Sequence, residues 1–80
     1  MSKFPAKFLS ANDVGRRFKI TAIGGVKVES ELIRLDTLKD SDNEVHIQVT
    51  MAGVRHVDHY NSGPGFKLHP ESMVKRCDDQ

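Results

Sequence analysis

Four cationic side chains occur within "VGRRFKITAIGGVK", residues 14–27, and lysine and arginine are the residues that neutralise the phosphates of nucleic acids. In an extended segment Arg17 and Lys19 share one face, because strand side chains alternate between two faces. A hairpin at the paired glycines brings Lys27 close to that face. We therefore predict that phosphates are contacted by Arg16, Arg17, Lys19 and Lys27.

Stacking platforms for bases are the second requirement of many single-strand binders, and few aromatic residues are available in this chain. The alternation of the basic segment assigns Phe18 to the core, which leaves Tyr60 and Phe66 as candidate platforms. Glu29 and Glu31 follow on the neighbouring strand, and we expect them to pair with the cations and to weaken their field. The same charges are also compatible with an ordinary solvated face.

The segment "HVDHY" and one earlier histidine form a second group with possible chemistry. If a hairpin places His46, His56 and Asp58 on one face, these side chains could hold Zn²⁺ or another divalent ion with one position open. A histidine general base or a metal-bound water could then support hydrolysis. The spacing matches no known metal motif, however, and no G-x-S-x-G element is present. We expect no cofactor and no enzymatic activity.

Length and composition restrict the class of protein. Eighty residues are enough for one small core. Cys77 is the single cysteine, so an intramolecular disulfide cannot form. The sequence has neither an apolar run of about 20 residues nor the apolar region of a signal peptide, which predicts a cytoplasmic protein without a membrane partner.

The net charge of +1 conceals a strong asymmetry along the chain. Residues 1–27 carry six lysines or arginines against one aspartate, whereas residues 28–50 carry six acidic residues against two basic ones. Such a distribution can attract a charged partner, but it can also place complementary neighbours in one sheet.

The elements that position these groups are short strands. Residues 1–9 are predicted to form an arm, and the spacing of Ser10 and Asp13 predicts a helical turn. From Arg16 the apolar residues alternate with polar ones, which indicates a strand with one solvated face. The glycine pair at 24–25 predicts a hairpin. The alternation then changes phase at Leu32 and Ile33, which predicts a bulge or bend in the second strand.

A third and a fourth strand are predicted within residues 45–60, joined by a three-residue loop in which Gly53 has a left-handed conformation. This loop places Gln48 opposite His56 and His46 opposite Asp58. A short strand at Phe66 to Leu68 and a final strand or helical turn through Met73 and Val74 follow.

The stretch "VGRRFKITAIGGVKVESELIRLD" resembles the opening of SH3-like and Sm-like barrels, in which a basic first strand, a glycine turn and a long bent second strand recur. The resemblance covers roughly residues 10 to 60 and is one of pattern. Ser30 replaces the glycine that Sm-like chains usually have in the bend, and their uridine-binding motifs do not occur, so neither ring assembly nor RNA binding in the Sm manner is implied. The whole chain is also similar in style to short barrel proteins encoded by bacteriophages of actinobacteria.

Together these observations predict an all-β fold: a small five-stranded, partly open SH3-like barrel over residues 10–76, with a short N-terminal helical turn and a polar tail at 77–80. The leading functional hypothesis is a nucleic-acid-associated accessory protein that contacts phosphates through its basic first strand. The alternative is a phage-encoded protein-interaction module that binds a host protein or pairs with itself through strand edges.

Overall fold

The computed structural model describes residues 3–39 and 41–77, which form six antiparallel strands and two short 3-10 helices. One open sheet contains all six strands in the order β1-β6-β2-β3-β4-β5. The predicted all-β class is confirmed. In chain order the elements are β1 (Lys3–Pro5), the 3-10 helices Ala6–Phe8 and Ala11–Asp13, β2 (Arg17–Thr21), β3 (Lys27–Lys39), β4 (Val45–Met51), β5 (Gly65–Leu68) and β6 (Met73–Arg76).

The β2–β3 hairpin has the alternation that the sequence predicts. Phe18, Ile20 and Val28 are buried, whereas the intervening side chains are exposed to solvent. The turn contains Gly24 and Gly25, whose φ angles of 98° and 87° lie in the left-handed region that disfavours side chains with a Cβ. A tight connection between the two strands therefore requires this glycine pair.

The phase change in β3 is a β-bulge, as predicted. Leu32 is opposite Met51 and Arg34 is opposite Thr50, so Ile33 is the additional residue in the register. Its side chain is half exposed, so Ile33 is not part of the buried face of the strand. Just before the bulge, the Ser30 hydroxyl donates a hydrogen bond to the carbonyl of Ala52. This bond gives the buried serine a polar partner in the bend.

The N-terminal segment belongs to the sheet, which corrects the predicted arm at residues 1–9. Lys3–Pro5 pairs with β6, the ring of Phe4 packs edge-on against Phe18 at 6.1 Å, and Ala6 is fully buried. Residues 1 and 2 lie outside the described part of the chain. The helical turn at Ala11–Asp13 is present, and the Asp13 carboxylate accepts a hydrogen bond from the Ser10 N–H at 2.9 Å.

The fourth predicted strand is absent, and this is the main error in the predicted topology. The partner of β4 is β5, with Gln48 opposite Lys67, while residues 54–61 form a loop. Gly53 does have a left-handed φ of 70°, but the chain does not pair back onto β4 after it. The sheet has six strands where five were predicted, because β1 and β6 are added and the fourth predicted strand is absent. Of the polar tail, Cys77 is described and residues 78–80 are not.

The side chain of Asn61 connects the loop to the turn after β2 and to β5. Its side chain is buried, with 2% of the residue exposed. The amide nitrogen donates to the carbonyl of Ile23 at 3.0 Å, and the amide oxygen accepts from the N–H of Lys67 at 3.0 Å. The Ile23 N–H also donates to the carbonyl of Lys67 at 2.9 Å. The end of β2 and the edge of β5 are thus held together, although the sheet remains open.

Replacing Asn61 by alanine should lower the free energy of unfolding by about 1–3 kcal/mol, because a part-buried carbonyl and a part-buried N–H lose their side-chain partner. Urea denaturation followed by circular dichroism measures this change. Asn12→Ala, at an exposed asparagine, is the control and should change stability by less than about 0.5 kcal/mol. Equal effects of the two substitutions would show that the Asn61 bonds do not hold the fold.

Candidate nucleic-acid interface

Four lysines from four different strands line one groove on the solvent-facing side of the sheet. The groove has a volume of about 280 Å³, and Thr21, Met73 and Val74 complete its wall. We call this feature the lysine groove and define it by its cations: Lys3, Lys19, Lys27 and Lys75.

Strand pairing explains how residues from both ends of the chain meet there. Lys75 on β6 is directly opposite Lys3 on β1 and also directly opposite Lys19 on β2. Directly opposed residues have Cβ atoms about 4.5–5.5 Å apart, so three positive charges form a row across three strands. Lys27 is opposite Thr21, two residues further along β2, and extends the positive surface toward the hairpin turn.

The groove lysines have no anionic partner within the described residues, where none of them makes an ion pair or a side-chain hydrogen bond. Lys7 shows the contrasting arrangement, since its ammonium group lies 2.7 Å from the carboxylate of Glu71. Glu29 is directly opposite Lys19, but its carboxylate contacts Nε of Arg17 at 3.4 Å. The carboxylate of Glu29 therefore pairs with Arg17 and not with Lys19.

The two arginines of the predicted phosphate site do not line the groove. Arg17 is engaged with Glu29, as the sequence predicted for the cations of this strand. Arg16 donates from Nε to the carbonyl of Asn12 at 3.4 Å, beside the second 3-10 helix. Of the four predicted cations, Lys19 and Lys27 line the groove, whereas Arg16 and Arg17 do not.

Lys3 and Lys75 were not predicted from the sequence. Lys3 lies in the predicted arm, and Lys75 directly follows Met73 and Val74 of the predicted final strand or helical turn. The only local signal is the alternation in "SMVKR", which places Lys75 on the face opposite the buried Val74. Nothing in either segment indicates that the two residues face each other, because the pairing of β1 with β6 joins opposite ends of the chain.

The two predicted stacking platforms differ in exposure. Phe66 points inward from β5 and is 1% exposed, so its role as a base platform is wrong. Tyr60 is 49% exposed and lies at the tip of the β2–β3 hairpin. A Cβ atom at Gly24 would be 3.6 Å from Cδ2 of Tyr60, which means that the ring rests against the turn backbone. The ring of His59 packs edge-on against Tyr60 at 5.0 Å.

The three residues considered as candidate metal ligands do not share the predicted register. His46 is opposite Leu38 on β3, and its ring lies 5.6 Å from that of His69. His56 instead contacts Asp58, with 2.9 Å between Nε2 and Oδ2. Within residues 3–39 and 41–77 no three histidine, cysteine or acidic side chains form a group that could hold a metal ion. The predicted pairing of His46 with Asp58 is absent because residues 54–61 form a loop and not a strand.

Asp58 organises this loop through its carboxylate. Oδ1 accepts hydrogen bonds from the backbone N–H groups of Tyr60 and Asn61, both at 2.8 Å. The Tyr60 bond is the largest cause that lowers the pKa of Asp58 from its ordinary value of 3.8 to about 2, and the bonds from Asn61 and His56 add to it. Each of these donors favours the charged carboxylate.

Comparisons with known proteins add no assignment, because no family model, curated protein or solved structure matches this chain. Among the described residues, no helix has the length and apolar character required to cross a bilayer.

The lowered pKa of Asp58 predicts a specific pH dependence. The stabilisation by the carboxylate is fully present above about pH 4 and is lost as the pH falls through about 2, since only the charged form accepts these bonds well. We expect wild type to be more stable than Asp58→Asn at neutral pH, with the difference narrowing between about pH 4 and pH 2. Urea unfolding of both proteins at several pH values measures this difference in stability. A difference that stays constant between pH 4 and pH 2 would contradict a stabilising role of the charged Asp58 carboxylate.

The lysine row predicts that removing its central charge stabilises the protein. Like charges directly opposite each other are unfavourable by a few tenths to about 1 kcal/mol. Lys75→Gln should therefore raise the free energy of unfolding at low salt by up to about 1 kcal/mol, and the gain should shrink in 1 M salt. Lys39→Gln, at a lysine opposite Val45, is the control without a like-charged neighbour. Equal responses of the two variants would refute the repulsion.

Proposed function

We propose that this protein is a non-enzymatic module that binds nucleic acid through phosphates held in the lysine groove. The observation that carries the proposal is the convergence of four lysines, without a carboxylate partner among the described residues, on one groove. Repulsion within the row is unfavourable for the free protein, and a bound polyanion relieves it. The gain from binding is therefore larger than for scattered surface lysines.

A polymer explains the length of the row better than a single small anion does. Neighbouring strands are about 4.7–4.9 Å apart, so the outer lysines of three adjacent strands are separated by about 10 Å at the backbone. One carboxylate or phosphate cannot approach all four ammonium groups closely. A chain of phosphodiesters carries negative charges along its length and can neutralise several lysines at once.

We further propose that the sheet is an SH3-like small barrel in its finer architecture. The bulged β3 and the hydrogen bond between Ile23 and Lys67 support this assignment, since the bulge bends the long strand and the bond joins the turn after β2 to the edge strand β5. Barrels of this size expose a strand face on which nucleic acid can lie. The similarity to phage-encoded barrel proteins is consistent with an accessory role.

Salt dependence of binding tests the proposal. A labelled 12-nucleotide single strand and its duplex are titrated by fluorescence anisotropy at 50 and 200 mM salt. If four phosphates are contacted, raising the salt from 50 to 200 mM should lower the affinity for the nucleic acid that binds by roughly 50- to 150-fold. Lys19→Gln combined with Lys75→Gln removes two contacts, so the loss should fall to about 7- to 12-fold, with weaker binding at 50 mM.

The matched control changes the net charge equally at distant positions. Arg34→Gln combined with Lys39→Gln also removes two positive charges, both in the part of β3 after the bulge, and should keep the steep salt dependence. If both double variants lose affinity alike, the groove is not the binding site. Absence of binding to either probe at 50 mM salt would reject the function and favour the alternative of a protein-interaction module.

A further inference from the structure

We propose that the ligand is a single-stranded nucleic acid whose backbone follows the lysine groove and one of whose bases stacks on Tyr60. This inference rests on the proposed function and specifies its substrate class. Three features of the structure support it: the size of the groove, the chemical type of its cations, and the position of an exposed aromatic ring beside it.

The size of the groove favours a single strand. Its volume of about 280 Å³ is close to the lower limit of small-molecule pockets, about 300 Å³, and therefore suits one or two nucleotides. A duplex carries its phosphates on the outside of a wide cylinder, whose major groove alone is about 12 Å wide. A rigid duplex therefore cannot enter between side chains of adjacent strands, whereas a flexible single strand can.

The cations of the groove hold a backbone without reading base edges. All four are lysines, which act as point charges on flexible stems, and no arginine lines the groove. Arginine forks are the usual means of recognising guanine in the major groove. The site is therefore suited to phosphates in any sequence, and contacts with a base have to come from a different side chain.

Tyr60 can supply that contact because its loop packs against the β2–β3 turn. Its ring lies against Gly24, and Lys27 in the groove wall is only three positions further along the chain. The backbone distance between these two residues is thus at most about 10 Å. The ring packs against the turn, and about half of the surface of Tyr60 remains open to a base. Stacking on an aromatic ring tolerates every base.

The test compares three labelled or competing polyanions: a 12-nucleotide thymidine single strand, a 12-base-pair duplex, and inorganic polyphosphate. We expect the single strand to bind at least 10-fold more tightly than the duplex. Tyr60→Leu should weaken single-strand binding by about 5- to 150-fold, the range for loss of one stacked base. The affinity for polyphosphate, obtained as its inhibition constant, should be unchanged in this variant, since polyphosphate has no base.

Phe8→Leu is the matched control, because Phe8 is an exposed aromatic residue outside the groove, and this variant should bind the single strand as wild type does. Circular dichroism confirms that both variants are folded. Equal binding of duplex and single strand, or equal effects of Tyr60→Leu and Phe8→Leu, would overturn the single-strand inference while leaving phosphate binding by the groove intact. Absence of binding to both nucleic acids would reject the proposed function itself.

Discussion

The buried amide of Asn61 is the interaction on which the arrangement of this sheet depends. Its donor and acceptor bind backbone groups of Ile23 and Lys67, which belong to opposite parts of the strand order. A buried backbone group without a partner is costly, so one side chain that satisfies two of them favours this closure strongly. The loop residues Asp58 and Tyr60 are held beside the β2–β3 turn by the same network.

The position of β2 between two strands of different charge creates the candidate site. On one side β3 presents Glu29, which neutralises Arg17. On the other side β6 presents Lys75, which adds to the charge of Lys19 instead of balancing it. Two cations of one strand, two residues apart, thus have opposite electrostatic surroundings. Both cations are exposed on the same face, and they differ because Lys75 is opposite Lys19 while the Glu29 carboxylate contacts Arg17.

Local features were predictable from the sequence wherever a short segment contains its own signal. Alternation identified β2, the glycine pair identified the turn, and the phase change identified the bulge at Ile33. Residues 54–60 do not alternate, since Val54 and Val57 are three positions apart, and they form a loop. There the carboxylate of Asp58 binds N–H groups two and three residues ahead, and these local bonds replace a strand ladder. The predicted histidine register is absent because this turn lies where the fourth strand was expected.

The sequence by itself determined the all-β class, the hairpin, the bulge and the presence of an exposed basic strand, because these follow from side-chain alternation and from the backbone freedom of glycine. Only the tertiary structure decided which cations stand together. Lys3 and Lys75 meet Lys19 because β6 inserts between β1 and β2, and such pairing between distant segments depends on which strand edges remain available once the core has formed. No local pattern contains that information.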